Sequence, residues 1–202
     1  MLTGVIRISA LENNKLKHAL LLRMLSLTLL LLITLEQYSG LNTPLAWVVT
    51  GLAAAVAADG LRLIAAKPRA SFIAFLLAQL CYSAAFWVQN SAAIVWWLPA
   101  LLIAAAIVGF FLLLPQLERR IVPVSLMGLT LLQLIWAGGQ IWLTTHTLAS
   151  LVGVLASLTM AASAVLLAMN TYRRMLPGGQ PLVSLTCLLS QALIVVSVLL
   201  LP

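Results

Sequence analysis

The chain has 202 residues, of which 63% are hydrophobic and 7% charged, with a formal net charge of +7. A soluble domain carries about 25% charged residues, so the composition excludes an ordinary soluble protein and points to an integral membrane one. The positive balance does not mark a nucleic-acid binder, because the basic residues come in twos and threes between apolar runs, which is a topology pattern.

Met1–Asn14 contains no cleavable apolar run with a small-residue exit, so no secretory leader is expected. The first long apolar run then reads as a retained span. Crossing a bilayer takes about 20 apolar residues as helix. Seven stretches qualify: roughly 18–36, 44–65, 70–89, 93–114, 121–143, 148–169 and 182–201. Breakers separate them at Gly40 to Pro44, Lys67-Pro68-Arg69, Pro115 to Arg120, and Pro177 to Pro181. Runs of small residues such as Ala53–Ala58 and Ala161–Ala164 let helices approach closely. No stretch is Ser-, Gly- or charge-rich enough to be a linker. The expectation is an all-α, polytopic transmembrane helix bundle of about seven spans, forming one domain.

Charge sorts the connections. Arg7, Lys15, Lys17 and Arg23 precede or open span one. Arg62, Lys67 and Arg69 join spans two and three, Arg119 and Arg120 join four and five, and Arg173 and Arg174 join six and seven. The remaining connections carry no Lys or Arg. The positive-inside rule makes the basic side cytoplasmic, with the N-terminus in and the C-terminus out. Trp47, Trp87, Trp96, Trp97, Trp136 and Trp142 all fall toward the opposite ends of their spans, as an aromatic belt at the outer interface would.

Span two holds the chain's one aspartate, Asp59. An ionised carboxylate in hydrocarbon costs on the order of several kcal/mol, so it marks a candidate functional site. Counting about 1.5 Å of rise per residue, Arg23, Gln79, Tyr82 and Gln191 fall in the same cytoplasmic half. Tyr82 shares a helix face with Gln79. A common cavity open to that side would gather all of them, with Arg62 at its edge. Structural roles compete with this reading. Asp59 could pair with Arg62, or with Arg23 across helices, and only fix packing. Gln79 and Gln191 could be interhelical hydrogen-bonding glue, Tyr82 a core aromatic, and Arg23 a snorkelling side chain.

Other polar residues suggest little chemistry. Cys81 and Cys187 fall mid-span without metal-ligand spacing and read as small packing residues. Glu36 ends span one on the outer side, and Glu118 sits beside Arg119 and Arg120. His18 lies at the inner interface and His146 in an outer loop, too far in depth to pair with Asp59. One aspartate, two distant histidines and two scattered cysteines make no coordination set, so neither a metal nor another cofactor is expected. A weak parallel repeat relates Leu77-Ala78-Gln79-Leu80 to Leu189-Ser190-Gln191-Ala192. In that register Asp59 corresponds to the region of Ser163-Ala164.

From about Arg23 onward the chain resembles the YhhN family of small bacterial membrane proteins, related to the eukaryotic lysoplasmalogenases. The resemblance is best in Gly51–Phe86, in Trp97–Gln140 with its Trp136-Ala-Gly-Gly-Gln140, and in Tyr172–Leu199. The family's Gly-Asp looks like Ala58-Asp59. Its Phe-x-x-x-His-x-x-Tyr looks like Phe75-Leu-Leu-Ala-Gln79-Leu-Cys-Tyr82, its late Gln or His like Gln191, and its early Lys-Pro like Arg23-Met24. Gln79 replaces the histidine, and Ala164 stands where many members have a second acid, in Ser-Asp. An N-terminal span of some relatives has no counterpart in Met1–Asn14.

The resemblance implies hydrolysis of the vinyl-ether bond of a lysoplasmalogen to a fatty aldehyde and a glycerophospho-alcohol, in a bacterial inner membrane. Such a bond is cleaved by protonating its β-carbon and trapping the oxocarbenium ion with water, which calls for a general acid and a negative group near the cation. Asp59 would be the acid. Gln79, Tyr82 and Gln191 would orient water or the head group, and Arg23 or Arg62 would meet the phosphate. The expected partner is a membrane lipid or lysophospholipid. Two other readings remain: an inactive protein of the same fold that binds or moves a lipid, favoured by Ala164 and Gln79, and a small transporter or assembly factor.

Overall fold

The computed structural model describes residues 20–37, 43–63, 67–90, 93–113, 121–172 and 179–200. Seven helices make up the regular structure of the described residues. Helix α1 covers 20–36. It is followed by α2 (Thr43–Leu63), α3 (Pro68–Trp87), α4 (Trp97–Leu113), α5 (Ile121–Thr145), α6 (Leu148–Tyr172) and α7 (Gly179–Leu199). The expected 1–17 segment, His18, Glu118, Arg119, Arg120, Arg173 and Arg174 lie outside the described residues.

Five helices, α2, α3, α5, α6 and α7, are long and apolar enough to cross a membrane, while α4 is a shorter apolar helix. The chain is therefore a multi-pass membrane protein. Its buried and lipid-side hydroxyls behave accordingly. Thr28 Oγ1 donates to Met24 O at 2.8 Å, Thr34 Oγ1 to Leu30 O at 2.7 Å, and Thr159 Oγ1 to Leu155 O at 2.6 Å. Each folds back on its own helix, because hydrocarbon offers no other partner.

Helix ends follow local chemistry. Pro68 opens α3, where its missing N–H costs nothing. Helix α5 ends at Thr145, and the His146 N–H reaches Trp142 O at 3.0 Å with His146 left-handed at φ 50. Thr147 then caps α6 reciprocally: its N–H donates to Ser150 Oγ at 3.1 Å, and the Ser150 N–H to Thr147 Oγ1 at 3.2 Å.

The fourth span departs most from expectation. It was expected over 93–114, but residues 93–95 stay outside the helix, which begins at Trp97. The reason is Gln140, wholly buried in α5. Its Nε2 donates to Ala93 O at 2.9 Å, and its Oε1 accepts the Val95 N–H at 3.1 Å. A side chain thus takes backbone groups that a longer helix would have used.

Helix α2 packs along α3, and α6 along α7. Helix α5 lies against α3 and α6 and joins the two pairs, α4 leans on α5, and α2 also touches α7. The core between them includes Leu27, Leu52, Tyr82, Phe86, Leu134 and Ile194. Gly51 lets α2 approach α3: a Cβ there would stand 2.5 Å from Cε1 of Tyr82. Ser197 Oγ of α7 donates to Ala149 O of α6 at 2.7 Å.

The two ends of the bundle differ as expected. Trp47, Trp96 and Trp97 stand at the starts of α2 and α4, while Trp87, Trp136 and Trp142 lie toward the finish of α3 and α5. Trp87 and Trp136 meet edge to face with centroids 5.1 Å apart. Arg23, Arg62, Lys67 and Arg69 occupy the other end.

Candidate functional site: an arginine–aspartate pair in an apolar cavity

Helices α1, α3, α5 and α7 begin, and α2 and α6 finish, around a cavity of ≈ 240 Å³ at the basic end of the bundle. Its charged wall is Arg23 from α1 with Asp59 and Arg62 from α2. Its apolar wall includes Phe72 and Phe75 of α3, Met127 of α5, and Met160 and Leu167 of α6. Ser71, Ser163, Ala164 and Cys187 also line it.

The last turn of α2 delivers two charges. Asp59 is 7% exposed, whereas Arg62, three positions on, is exposed at the mouth. Of the two pairings open to Asp59, the cross-helix one forms: Arg23 Nε stands 3.1 Å from Asp59 Oδ2. The N–H is not aligned on that oxygen, so the contact is an ion pair rather than a hydrogen bond. Arg23 Nη2 reaches a second group, donating to Cys187 Sγ at 3.3 Å. One guanidinium thereby bridges α1, α2 and α7.

Arg23, Asp59 and Arg62 thus come together as the sequence suggests. Gln79, Tyr82 and Gln191 do not line the cavity, and each is 0% exposed. Gln79 takes a hydrogen bond from Thr130 of α5 through its Oε1. Gln191 Nε2 reaches the Cys187 sulfur at 3.9 Å. The Tyr82 ring lies against Gly51, and its hydroxyl has no hydrogen-bond partner among the described residues. Depth counted along a helix does not tell which side chains reach the lumen.

Most of the apolar wall was not foreseen, Cys187 and Met160 among it. Cys187, read from sequence as a packing residue, touches the charged pair. The available signal was its position one turn before Gln191, on the same face of α7. Met160 accepts a contact from Ser190 Oγ at 3.2 Å, and nothing in its sequence neighbourhood marks it. Ser163 and Ala164, which the resemblance sets opposite a second acid, both line the cavity, with Ser163 Oγ donating to Val183 O at 3.2 Å. Among the described residues no group of three His, Cys, Asp or Glu side chains is placed to hold a metal ion.

Such a site can do two things. Two guanidinium groups against one carboxylate leave a positive excess that suits a phosphate or other anion. The apolar wall suits an alkyl chain. A cavity with both properties fits an amphiphile whose polar head enters it, with a carboxyl beside the entering molecule.

No curated protein and no solved structure matches the chain. The model of the YhhN family matches residues 18–198, most of the chain, and the protein belongs to the YhhN family.

Proposed function

We propose that the protein hydrolyses the vinyl-ether bond of lysoplasmalogen-type lysophospholipids, releasing a fatty aldehyde and a glycerophospho-alcohol. The observation that carries this reading is the Arg23–Asp59 pair with Arg62 in one largely apolar cavity. A lysophospholipid presents one phosphate and one chain, the two chemistries of that wall.

The steps follow from the residues. Arg62, exposed at the mouth, meets the phosphate first. The phosphate then competes with Asp59 for Arg23, whose guanidinium already serves two partners. Drawing Arg23 onto the phosphate frees the Asp59 carboxylate of its counter-charge, so that it takes up a proton from solvent and gives it to the β-carbon of the vinyl ether. The resulting oxocarbenium ion lies beside the carboxylate just formed, which stabilises it. Water adds to the cationic carbon, and the hemiacetal collapses to aldehyde and alcohol, returning the proton to Asp59. Water is the only co-reactant.

In the same reading the chain crosses a bacterial inner membrane seven times with its N-terminus in the cytoplasm. The separation of the basic residues from the tryptophans supports that orientation, and it would open the cavity to the cytoplasmic side. The substrate would be the protein's lipid partner.

A second reading is favoured by Ala164. Where many family members carry an acid, this cavity has a methyl group. A protein with one intramembrane carboxyl would then bind a lysolipid without turning it over. Purified protein in detergent decides between the two. Aldehyde release from a lysoplasmalogen supports the hydrolase. A lipid found by mass spectrometry together with no aldehyde release supports the binding protein.

A further inference from the structure

Among the described residues that line the cavity, Arg23, Asp59 and Arg62 are charged. Arg23 Nε is ion-paired with Asp59 Oδ2 at 3.1 Å, and Arg62 has no acid within ion-pair distance among the described residues. Two cations against one anion leave the wall with one positive charge in excess. The surroundings add to it. Lys67 and Arg69 stand at the same end of the bundle, while Glu36, the other described acid, closes α1 at the far end. Charge of one sign around a low-dielectric cleft draws in ligands of the opposite sign.

Size is a second constraint. The cavity holds ≈ 240 Å³, less than the about 300–1,000 Å³ of pockets that enclose a drug-sized ligand. It takes a compact polar head and leaves most of an alkyl chain outside.

The two constraints discriminate between heads. A zwitterionic head brings no net charge, so the positive excess of the wall persists whatever pairs it makes. Its ammonium would find one carboxylate among the described lining residues, Asp59. A head with net negative charge cancels the excess, because one phosphate can face both guanidinium groups.

We infer that the cavity selects lysophospholipids whose head is anionic and carries no amine, a phosphomonoester or a phosphoglycerol, over those with ethanolamine or choline heads. The inference deepens the hydrolase reading and rests on it for the class of lipid. On that reading an ammonium seated on Asp59 would also occupy the proton donor.

Native mass spectrometry of the whole protein in a non-ionic detergent tests this. The probe is an equimolar mixture of four lysolipids with one acyl chain and phosphate, phosphoglycerol, phosphoethanolamine or phosphocholine heads. None has a vinyl ether, so binding is read apart from turnover. The two anionic forms are expected to be bound about tenfold over the other two, the size of one charge-assisted contact. Ala164→Asp, which adds a carboxylate to the wall, brings the ethanolamine form level with them. Should that variant not fold, Arg62→Gln, exposed at the mouth, narrows the preference by removing the excess charge. Glycerol phosphate, a head without a chain, does not displace the bound lipid at equal concentration.

Equal binding of the four heads, binding of none, or a preference unchanged in Arg62→Gln overturns the inference. So does a preference for phosphocholine, which would make Phe72 and Phe75 a seat for the ammonium. Displacement by glycerol phosphate would make this a site for a free phosphate and overturn it too. Selective binding without aldehyde release from any lysoplasmalogen counts against the hydrolase alone. Equal aldehyde release from phosphate and ethanolamine lysoplasmalogens counts against the head selectivity alone.

Discussion

Arg23 Nε and Asp59 Oδ2 stand 3.1 Å apart where α1 meets α2, with side chains only 11% and 9% exposed. Removing either partner leaves the other charge uncompensated. Breaking a buried pair in this way costs about 3–5 kcal/mol, whereas replacing both with apolar groups is often neutral. Arg23→Met and Asp59→Leu are each expected to melt well below the wild type in detergent, and the double variant to recover most of the loss. A double variant no better than the worse single one would mean that the pair is not what the two residues contribute.

Gly51 and Tyr82 make a steric prediction. The Cβ of Gly51→Ala would sit 2.5 Å from one ring carbon of Tyr82 and 2.7 Å from the next, so the ring or the helix must move. Overpacking of this kind costs about 1–3 kcal/mol. Gly51→Ala should lower the melting temperature, and Tyr82→Leu added to it should restore part of the loss. Tyr82→Phe should not, because the clashing atoms are those of the ring. Equal melting of Gly51→Ala and wild type would contradict the close α2–α3 contact.

Gln140 ties the stretch before α4 at the end away from the cavity. Gln140→Leu removes the partner of Ala93 O and of the Val95 N–H, a loss of roughly 1–2 kcal/mol for two part-buried bonds. Hydrogen exchange should quicken at Val95 and leave the cavity helices unchanged. Protection at Val95 equal to wild type would show that its N–H is held by something else.

Ala164→Asp puts an acid in the cavity wall at the position that the resemblance sets opposite a second acid. The wall holds two arginines and one aspartate, so a further carboxylate improves its charge balance. On the hydrolase reading aldehyde release rises about tenfold or more, within the range general acid–base groups contribute. An Ala164→Asp protein that folds and is slower than wild type would speak against an acid working from that side.

The charged part of the site was legible because hydrocarbon makes charge conspicuous. Asp59 stands out in its apolar run, and charge sorting brings Arg23 and Arg62 to its level. The choice of Arg23 over Arg62 as partner was not legible, because it depends on how α1 lies on α2. Depth along the helices groups Gln79, Tyr82 and Gln191 with the charged pair, but their side chains are buried in the core and do not line the lumen. Most helix ends agree with expectation to within a few residues, as hydropathy and Pro/Gly punctuation set them locally. The start of α4 does not, because a glutamine on a different helix sets it.

The most direct measurement is aldehyde release from a lysoplasmalogen by wild-type and Asp59→Asn protein in the same detergent. The substitution keeps the shape of the side chain and removes its proton donor. Release by the wild type and a loss of at least about 100-fold in Asp59→Asn, in line with removal of a general acid, is the expected outcome. Release that is undiminished in Asp59→Asn would take the carboxyl out of the mechanism and contradict the proposed chemistry.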